Sequence, residues 1–351
     1  MLKPIIINKV AIGPGRKPYV VAEIGVNHNG RLDLALKLID AAAKAGADAV
    51  KFQTFRAEEV TTVATPIASY QAKNTGRKQS MQAMIRKLEL NERFYPRLIS
   101  HSRKRKVAFF SAAQGGFVSV DLLERLGVPM FKIGSGDLTN LPLLRYVARL
   151  KKPIILGTGM ATMVEIQAAI KTMKGAGNDK IIVLQCTTDY PADPREANLA
   201  VIPEMIKKIK TLVGYSDHTM GIRVPLMAAT LGACMIEKHF TLNRGLAGPD
   251  HKASATPAEL QQLVKAVKFV PAILGKPIKR PSRSELPYLP LIRKSVVAAR
   301  DIAKGEKFTR KNLAIKRPGT GLAPRYFDAL IGRIAKRDLP KDNLISLSDV
   351  K

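Results

Sequence analysis

Two polar triplets, each at the end of an apolar run, hold the residues of this sequence that are best suited to chemistry. The first triplet is Ser216, Asp217 and His218, and the second is Glu237, Lys238 and His239. His218 and His239 are separated by the length of one strand and helix repeat, which predicts that they lie at the ends of neighbouring strands. Two such imidazoles can bind a divalent metal and leave its other positions to oxygen ligands, as suits Mn²⁺. From the residues alone, a metal site and two hydrogen-bonded structural histidines are equally well supported.

Length and composition predict a globular protein with a large core. The chain has 351 residues, of which 46% are hydrophobic, enough for one large α/β domain and a small appendage. Cys186 and Cys234 each lie inside an apolar run, where a thiol is usually a small buried hydrophobe, and this suits a reducing cytosol. No apolar window approaches the roughly 18 residues of a membrane span. We therefore expect a soluble, unprocessed, cytoplasmic protein with no membrane partner.

The formal net charge of +30 raises the question of a nucleic-acid partner. The charge is spread along the chain rather than gathered in a tail, and the dense basic run at 103–106 falls at the end of a predicted helix. The few aromatic residues are not interleaved with the basic ones, as a surface that stacks bases requires. We expect a basic surface and anionic ligands rather than specific nucleic-acid binding.

Segments with strand character alternate with segments of helical periodicity over the first 275 residues. Strands are predicted at 19–25, 49–55, 107–112, 130–135, 153–158, 181–187, 212–216 and 234–241. Helices are predicted at 32–47, 81–104 with a break near Leu90, 117–126, 141–149, 162–173, 201–209, 222–231 and 256–273. Eight such regular units predict a closed (β/α)8 TIM barrel rather than an open sheet. The connection at 56–80 exceeds normal loop length, which indicates a functional loop over the barrel mouth.

The texture of the sequence changes after Gly275. Residues 276–290 contain four prolines and predict a linker that joins neither a helix nor a central strand. Residues 291–351 hold short β-rich pieces and turn signals. We predict a barrel domain at 1–275, the proline-rich linker at 276–290 and a small β-rich domain at 291–351.

Polar side chains gather at the predicted carboxyl ends of the strands, where TIM barrels carry their active sites. They are Glu23, Lys51, Gln53, Ser111, Lys132, Ser135, Thr158, Thr187, Thr188, Tyr190, Ser216, Asp217, His218, Glu237 and His239. A lysine inside a barrel is costly unless an anion meets it. Lys51 and Lys132, with the hydroxyls of Ser135 and Ser216, therefore predict a cradle for a phosphate or carboxylate.

Several ordered motifs give the sequence a family resemblance that covers nearly the whole chain. They lie at 22–30, 50–54, 131–136, 214–219 and 236–241, with further matches at 74–76, 248–251 and 316–319. Together they resemble the sialic acid synthase family, and the last 60 or so residues look like its antifreeze-like (SAF) domain.

The resemblance implies a transferase that forms a carbon–carbon bond. It would condense phosphoenolpyruvate with the aldehyde of N-acetylmannosamine, or of a related acetamido-deoxy sugar, to give a nine-carbon 2-keto acid and phosphate. It also implies a divalent metal cofactor, Mn²⁺ first with Mg²⁺ or Co²⁺ as alternatives, and a domain-swapped homodimer.

The resemblance also implies roles for individual residues. His218 and His239 match the metal ligands, where the ion polarises the sugar aldehyde, and Glu23 matches the acidic residue that handles the attacking water. The residues that match the family's phosphoenolpyruvate-binding positions are Lys51, Lys132, Ser135 and Ser216. The matches around the sugar and metal are Gln53, Asn74, Tyr190, Glu237 and Asp250, and Arg317 would cap the site of the partner subunit.

Three positions depart from the family pattern. Ala112 stands where a threonine is usual, which removes one expected phosphate contact and predicts weaker phosphoenolpyruvate binding. Thr188 replaces a common Asn or Ser, and Asp137 replaces a Glu near the substrates. Neither histidine is lost, so we expect catalysis, with weakened or altered substrate preference as a consequence.

Two other functions remain open at this point. One is a metal aldolase that uses pyruvate, which the paired lysines favour less. The other is a basic scaffold or nucleic-acid-binding protein on an impaired barrel, suggested by the +30 charge and by Ala112.

Overall fold

The computed structural model describes residues 2–68, 71–72 and 80–351. The chain divides into two compact units, Met1–Gly275 and Lys276–Lys351. In the part of the chain described, no helix is both long and apolar enough to cross a bilayer.

Eight parallel strands of the first unit form a closed barrel in sequential order, which confirms the predicted (β/α)8 fold. They are β3 (Tyr19–Gly25), β4 (Ala49–Thr54), β5 (Ala108–Ala113), β6 (Phe131–Ile133), β7 (Ile154–Gly157), β8 (Ile181–Cys186), β9 (Leu212–Asp217) and β10 (Met235–His239), preceded by the hairpin strands β1 (Ile5–Ile7) and β2 (Val10–Ile12). Almost every strand residue is buried, because the interior packing and the outer helices cover both faces of a parallel barrel.

Helices surround the barrel and bury their apolar faces against it. The helices of the first unit whose bounds the structure describes are Leu32–Ala45, Ala57–Val60, Met81–Arg86, Tyr95–Lys104, Gly116–Arg125, Leu141–Arg149, Met163–Gly175, Val201–Ile209, Arg223–Thr230 and Pro257–Leu274. Thr162 and Thr256 begin two of them with capping boxes that satisfy the free amides of the first turn. The predicted break near Leu90 separates two of the helices, and the predicted strand and helix bounds agree with the observed ones to within a few residues.

The antiparallel hairpin β1–β2 was not predicted as an element. Each strand is three residues long, too short for an apolar period to be recognised. Ile5, Ile7 and Ile12 pack with the interior residues at the amino ends of the barrel strands. The hairpin therefore closes that end of the barrel, and the polar residues lie at the opposite end.

The second unit is a small domain with its own core, formed by residues such as Val296, Ile302, Phe308 and Ile345. Its antiparallel strands are β11 (Ser295–Ala298) and β12 (Leu313–Lys316), and its helices are Leu289–Ile292 and Phe327–Leu330.

The prediction that residues 276–290 join no helix was wrong at the end of that segment. A 3₁₀ turn covers Leu286–Tyr288 and a short helix begins at Leu289. Pro287 and Pro290 are each the second residue of these elements, within the first turn, where a missing amide hydrogen costs no hydrogen bond.

Candidate active site

A cavity of about 500 Å³ opens at the carboxyl ends of the barrel strands. The predicted residues that line it are Glu23, Lys51, Gln53, Lys132, Ser135, Asp137, Thr188, Tyr190, Ser216, His218, Glu237, His239 and Asp250. Thirteen separate positions in the sequence thus converge on one space, as the barrel topology predicts.

Two lysines and two carboxylates form the floor of the cavity. Lys132 Nζ lies 2.8 Å and Lys51 Nζ 3.2 Å from Glu237 Oε1, and Lys51 Nζ lies 3.0 Å from Glu23 Oε1. Ser216 Oγ donates to the same Glu237 oxygen at 3.0 Å. All four charged side chains are almost fully buried. Glu23 Oε2 and Glu237 Oε2 have no hydrogen-bond partner in the described part of the chain, so each carboxylate keeps one oxygen free for another group.

Burial and neighbouring charges give the carboxyl groups of Glu23 and Glu237 different pKa values. Burial raises the pKa of Glu23 to about 7, against the opposing effect of the Lys51 ammonium. Burial also acts on Glu237, but the ammonium groups of Lys132 and Lys51 outweigh it and hold the pKa of that carboxyl below its usual range. Two carboxylates in one cavity thus differ in their readiness to take a proton, which is the pattern of an acid–base pair.

The two lysines are affected in opposite directions. Burial lowers the pKa of Lys132, partly offset by Glu237. For Lys51 the carboxylates of Glu23 and Glu237 outweigh burial and hold the pKa of the ammonium above its usual range.

His218 and His239 form a second cluster in the cavity, with ring centroids 5.4 Å apart, and His239 is the register partner of Glu23 on the neighbouring strand. The ring of Tyr190 packs on both, at 4.2 Å from His218 and 5.3 Å from His239. Asp250 Oδ2 lies 3.9 Å from His239 Nδ1. The strand β10 and the loops after β8, β9 and β10 therefore supply one cluster.

The histidine pair fits a divalent metal. Burial lowers the pKa of both imidazoles, that of His218 to about 4, so both are neutral near pH 7, as ligands must be. His218 Nδ1 lies 2.5 Å from the carbonyl oxygen of Thr187, the kind of contact that leaves Nε2 with a free lone pair. His239 Nδ1 is buried without a hydrogen-bond partner among the described residues.

Those residues contain no group of three or more His, Cys, Asp or Glu side chains in metal-binding geometry. An ion held by this pair would therefore take its other ligands from water or substrate.

Four of the polar residues expected at strand ends do not line the cavity. Ser111 and Asp217 face the helix layer, since their neighbours Ala112 and Ser216 face inward and side chains alternate along a strand. Thr158 Oγ1 and Thr187 Oγ1 donate to the backbone carbonyls of Leu184 and Glu196. The sequence placed these four polar residues at strand ends without assigning any of them a role, and their side chains do not line the cavity.

Two further predicted residues are not among those that the structure describes in the barrel unit. Asn74 lies outside the described residues. Arg317 belongs to the second unit, where it is exposed.

The cavity also has an apolar wall that the sequence analysis missed. Val26, Phe55, Met84, Ile85 and Leu88 line it. Val26 follows β3, Phe55 follows β4, and the other three lie on or just after the helix Met81–Arg86, so no single segment carries a period that would reveal them.

Polar lining residues were missed as well: Glu59, Gln114, Asn140 and Cys186. Cys186 Sγ lies 3.3 Å from Ser135 Oγ, and the Gly159 amide donates to both atoms. Asn140 Nδ2 donates to Asp137 Oδ1 at 3.1 Å, and burial raises the pKa of Asp137. The pairing of Asp137 with Asn140 at helical spacing was the one available signal.

Comparison with known proteins matches this architecture over both units. The NeuB family model matches residues 38–279, and the SAF domain model matches residues 293–351. The N,N'-diacetyllegionaminic acid synthase of Campylobacter jejuni is 45% identical over 332 residues, which covers 94% of this chain and 99% of that protein. The protein of the same name from Legionella pneumophila is 41% identical and covers 90% of this chain and 89% of its own length.

A solved structure agrees with these matches. The N-acetylneuraminic acid synthetase of Leptospira borgpetersenii, in complex with citrate, superposes with a TM-score of 0.74 at 33% identity, over 82% of this chain and 95% of that one. The resemblance drawn from the motifs is thereby confirmed: the chain belongs to the NeuB family and carries a C-terminal SAF domain.

Proposed function

We propose that this protein condenses phosphoenolpyruvate with the open-chain aldehyde of an acetamido-deoxy sugar and releases phosphate. The observation that carries this proposal is the division of the cavity. Two buried lysines, paired with Glu237 and Glu23, form one cluster, and two neutral imidazoles form a second cluster beside it. One half suits a small, highly charged anion and the other half suits a carbonyl oxygen.

The lysine side would bind phosphoenolpyruvate. Lys51 and Lys132 approach the same oxygen of Glu237, so an incoming phosphate or carboxylate can take the place of that oxygen without leaving the ammonium groups unpaired. Ser216 Oγ donates to the same Glu237 oxygen, and Ser135 adds a second hydroxyl to the lining of the cavity. Buried charge pairs of this kind bind anions tightly because water does not compete.

Glu23 would act as the general base. The C3 carbon of phosphoenolpyruvate bonds to the aldehyde carbon with the electron pair of the C2–C3 double bond, which leaves C2 electron-deficient, and the aldehyde oxygen takes up a proton from solvent and becomes a hydroxyl. Water then adds at C2 and gives one proton to the Glu23 carboxylate. The C2–O bond to phosphate breaks, the phosphate leaves with the electron pair and takes the remaining proton of the C2 hydroxyl, and C2 becomes the ketone. Glu23, with its raised pKa, matches this task.

His218 and His239 would hold a divalent ion, with Mn²⁺ as our first choice and Mg²⁺ or Co²⁺ as alternatives. Bound there, the ion supplies Lewis-acid polarisation of the sugar carbonyl. The chain's own part is to keep both imidazoles neutral and oriented, through burial and the Thr187 carbonyl.

The apolar wall bears on the choice of sugar. Met84, Ile85 and Leu88 face the same cavity as the charged floor, and such a surface favours methyl groups over hydroxyls. An acetamido group or a deoxy carbon presents a methyl group there. Two relatives above 40% identity are diacetyllegionaminic acid synthases, which agrees with this preference.

We predict that a 6-deoxy, 4-acetamido relative of N-acetylmannosamine reacts with a kcat/KM at least about tenfold higher than N-acetylmannosamine, the scale of one methyl group in an apolar pocket. The measurement is phosphate release with each sugar. Met84→Gln keeps the length of the side chain but not its apolar character. This variant should reduce the difference in kcat/KM between the two sugars. A higher kcat/KM for N-acetylmannosamine would contradict the proposed role of the wall.

We predict that protonation of Glu23 lowers kcat/KM for phosphoenolpyruvate on the acid side of the pH profile. A base must be ionised, and a pKa raised to about 7 moves its protonation into the neutral range, so activity falls as pH falls. Below that pKa, kcat/KM for phosphoenolpyruvate should drop about tenfold per pH unit. The Glu23→Gln variant should keep a small residual rate without this decrease. A wild-type profile that stays flat down to about pH 5 would argue against Glu23 as the base.

We predict that Ala112→Thr improves phosphoenolpyruvate binding. Ala112 faces the cavity and is the register partner of Lys132 on the next strand, so a hydroxyl there can reach the same anion. One added hydrogen bond should lower KM for phosphoenolpyruvate about two- to tenfold. Ala112→Val has the same shape without the hydroxyl and serves as the control. Equal KM values for the two variants would mean that the missing hydroxyl is irrelevant.

Phosphate release tests the reaction itself. We expect phosphate only when phosphoenolpyruvate, the sugar and a divalent ion are all present, with a nine-carbon 2-keto acid formed in equal amount. Release without the sugar would sink the proposal, and product formation from pyruvate in place of phosphoenolpyruvate would support the aldolase alternative.

The assembly completes the proposal. We propose a cytoplasmic, domain-swapped homodimer in which Arg317 of the second unit contacts the amino sugar bound by the partner subunit. Its exposed position leaves the guanidinium accessible for that contact. An Arg317→Ala variant with an unchanged KM for the sugar would count against this role.

A further inference from the structure

The residues that precede the two histidines form a buried ion pair on the outer face of the barrel wall. Asp217 and Lys238 are register partners on β9 and β10. Lys238 Nζ lies 2.5 Å from Asp217 Oδ2, and the two side chains are 1% and 0% exposed. Ser216 and Glu237, one position earlier on each strand, face the cavity. Because side chains alternate along a strand, the ion pair faces the helix layer and does not line the cavity.

The pair connects the backbone on both sides of His218 to the residue before His239. Asp217 Oδ1 accepts hydrogen bonds from the Thr219 amide at 3.2 Å and from Thr219 Oγ1 at 2.9 Å. The Lys238 ammonium also donates to the Thr219 carbonyl oxygen. His218 therefore lies between two residues that the ion pair holds, and His239 directly follows the lysine that holds them.

Stability alone does not account for such a pair. Taking two charges out of water is costly, and apolar residues of similar volume are often equally stable in their place. Short, directional hydrogen bonds fix the relative position of two strands in a way that apolar packing does not. A device that fixes position is useful where two ligands on neighbouring strands must stay at a set distance.

We propose that Asp217 and Lys238 are positioning residues that set the separation and orientation of the His218 and His239 rings. The inference rests on the proposed function, in which these two rings hold a divalent ion. Residues that orient the ligands of a metal without contacting the metal themselves typically contribute about 10- to 100-fold to metal affinity.

The test compares Mn²⁺ affinity with thermal stability in the full-length protein. Asp217→Leu combined with Lys238→Met removes both charges and leaves no unpaired one. We expect this double variant to keep its Tm within a few degrees and to bind Mn²⁺ about 10- to 100-fold more weakly, measured by titration with Mn²⁺ alone. Mn²⁺ affinity equal to that of the wild type would overturn the inference.

A matched control exists elsewhere in the barrel wall. Thr54 and Ser111 form another buried cross-strand contact that faces the helices, with their hydroxyl oxygens 2.7 Å apart, but on strands that carry no histidine. Thr54→Val with Ser111→Ala should leave Mn²⁺ affinity unchanged. An equal loss in this control would show general loosening of the barrel and would also overturn the inference.

A second variant covers the case in which the double variant does not fold. Asp217→Glu keeps both charges but lengthens one side chain by a methylene group. It should still fold and bind Mn²⁺ several-fold more weakly, and unchanged affinity would count against positioning. A wild-type protein that binds no Mn²⁺ would instead refute the metal site of the proposed function, and the inference would fall with it.

Discussion

Replacing either His218 or His239 by alanine is expected to lower the rate of phosphate release on the order of 10³-fold. Removing one imidazole leaves a single protein nitrogen to hold the ion, whose charge stabilisation is worth several kcal/mol. Both rings are neutral, buried and 5.4 Å apart. The measurement pairs the rate at saturating Mn²⁺ with the Mn²⁺ affinity of each variant.

His101 provides a matched control for the loss of a histidine. It lies on the helix Tyr95–Lys104 and pairs with Asp40 at 2.7 Å, and it is not among the residues that line the cavity. His101→Ala should keep wild-type activity. If His218→Ala and His239→Ala also keep it, the pair is structural, as the sequence alone allowed.

Replacing Lys132 by methionine is expected to damage both stability and phosphoenolpyruvate binding. Lys132 is the nearer of the two ammonium groups that balance Glu237, and both partners are less than a tenth exposed. Breaking a buried pair from one side typically costs about 3–5 kcal/mol. The variant should therefore unfold at lower temperature, and its kcat/KM for phosphoenolpyruvate should fall by at least about 10²-fold.

A second substitution separates these two effects. Lys132→Met alone leaves Glu23 and Glu237 to share the single ammonium of Lys51. Adding Glu237→Gln removes the excess negative charge, so stability should return while phosphoenolpyruvate binding does not. Lys152 pairs with Glu124 at a partly exposed position, where loss of the pair costs about 1 kcal/mol or less, and Lys152→Met is the control. Recovery of normal KM in the double variant would mean that Lys132 does not bind the anion.

The fold could be predicted because its signal is local and repeated. Each strand and helix unit shows its own apolar period, and eight units in sequence leave few arrangements other than the barrel. The topology then brings Glu23, Lys51 and Lys132 to one end, because parallel strands share their carboxyl ends. The hairpin formed by Ile5–Ile7 and Val10–Ile12 was not predicted, because three-residue strands are too short to show an apolar period.

The details of the site were harder to predict because they depend on side-chain direction. Ser111 and Asp217 lie at strand ends yet face the helices, and one residue of offset decides this. The apolar wall combines Val26, Phe55 and Leu88 from separate segments. Nor does a sequence show that a single oxygen of Glu237 serves two lysines.

A structure of the protein with Mn²⁺ and phosphoenolpyruvate tests the central claim most directly. We predict the ion between His218 and His239, and the phosphate or carboxylate of phosphoenolpyruvate on Lys51 and Lys132, in place of the Glu237 contact. Phosphoenolpyruvate bound away from these lysines, or an ion coordinated without the two histidines, would contradict the proposed division of the cavity.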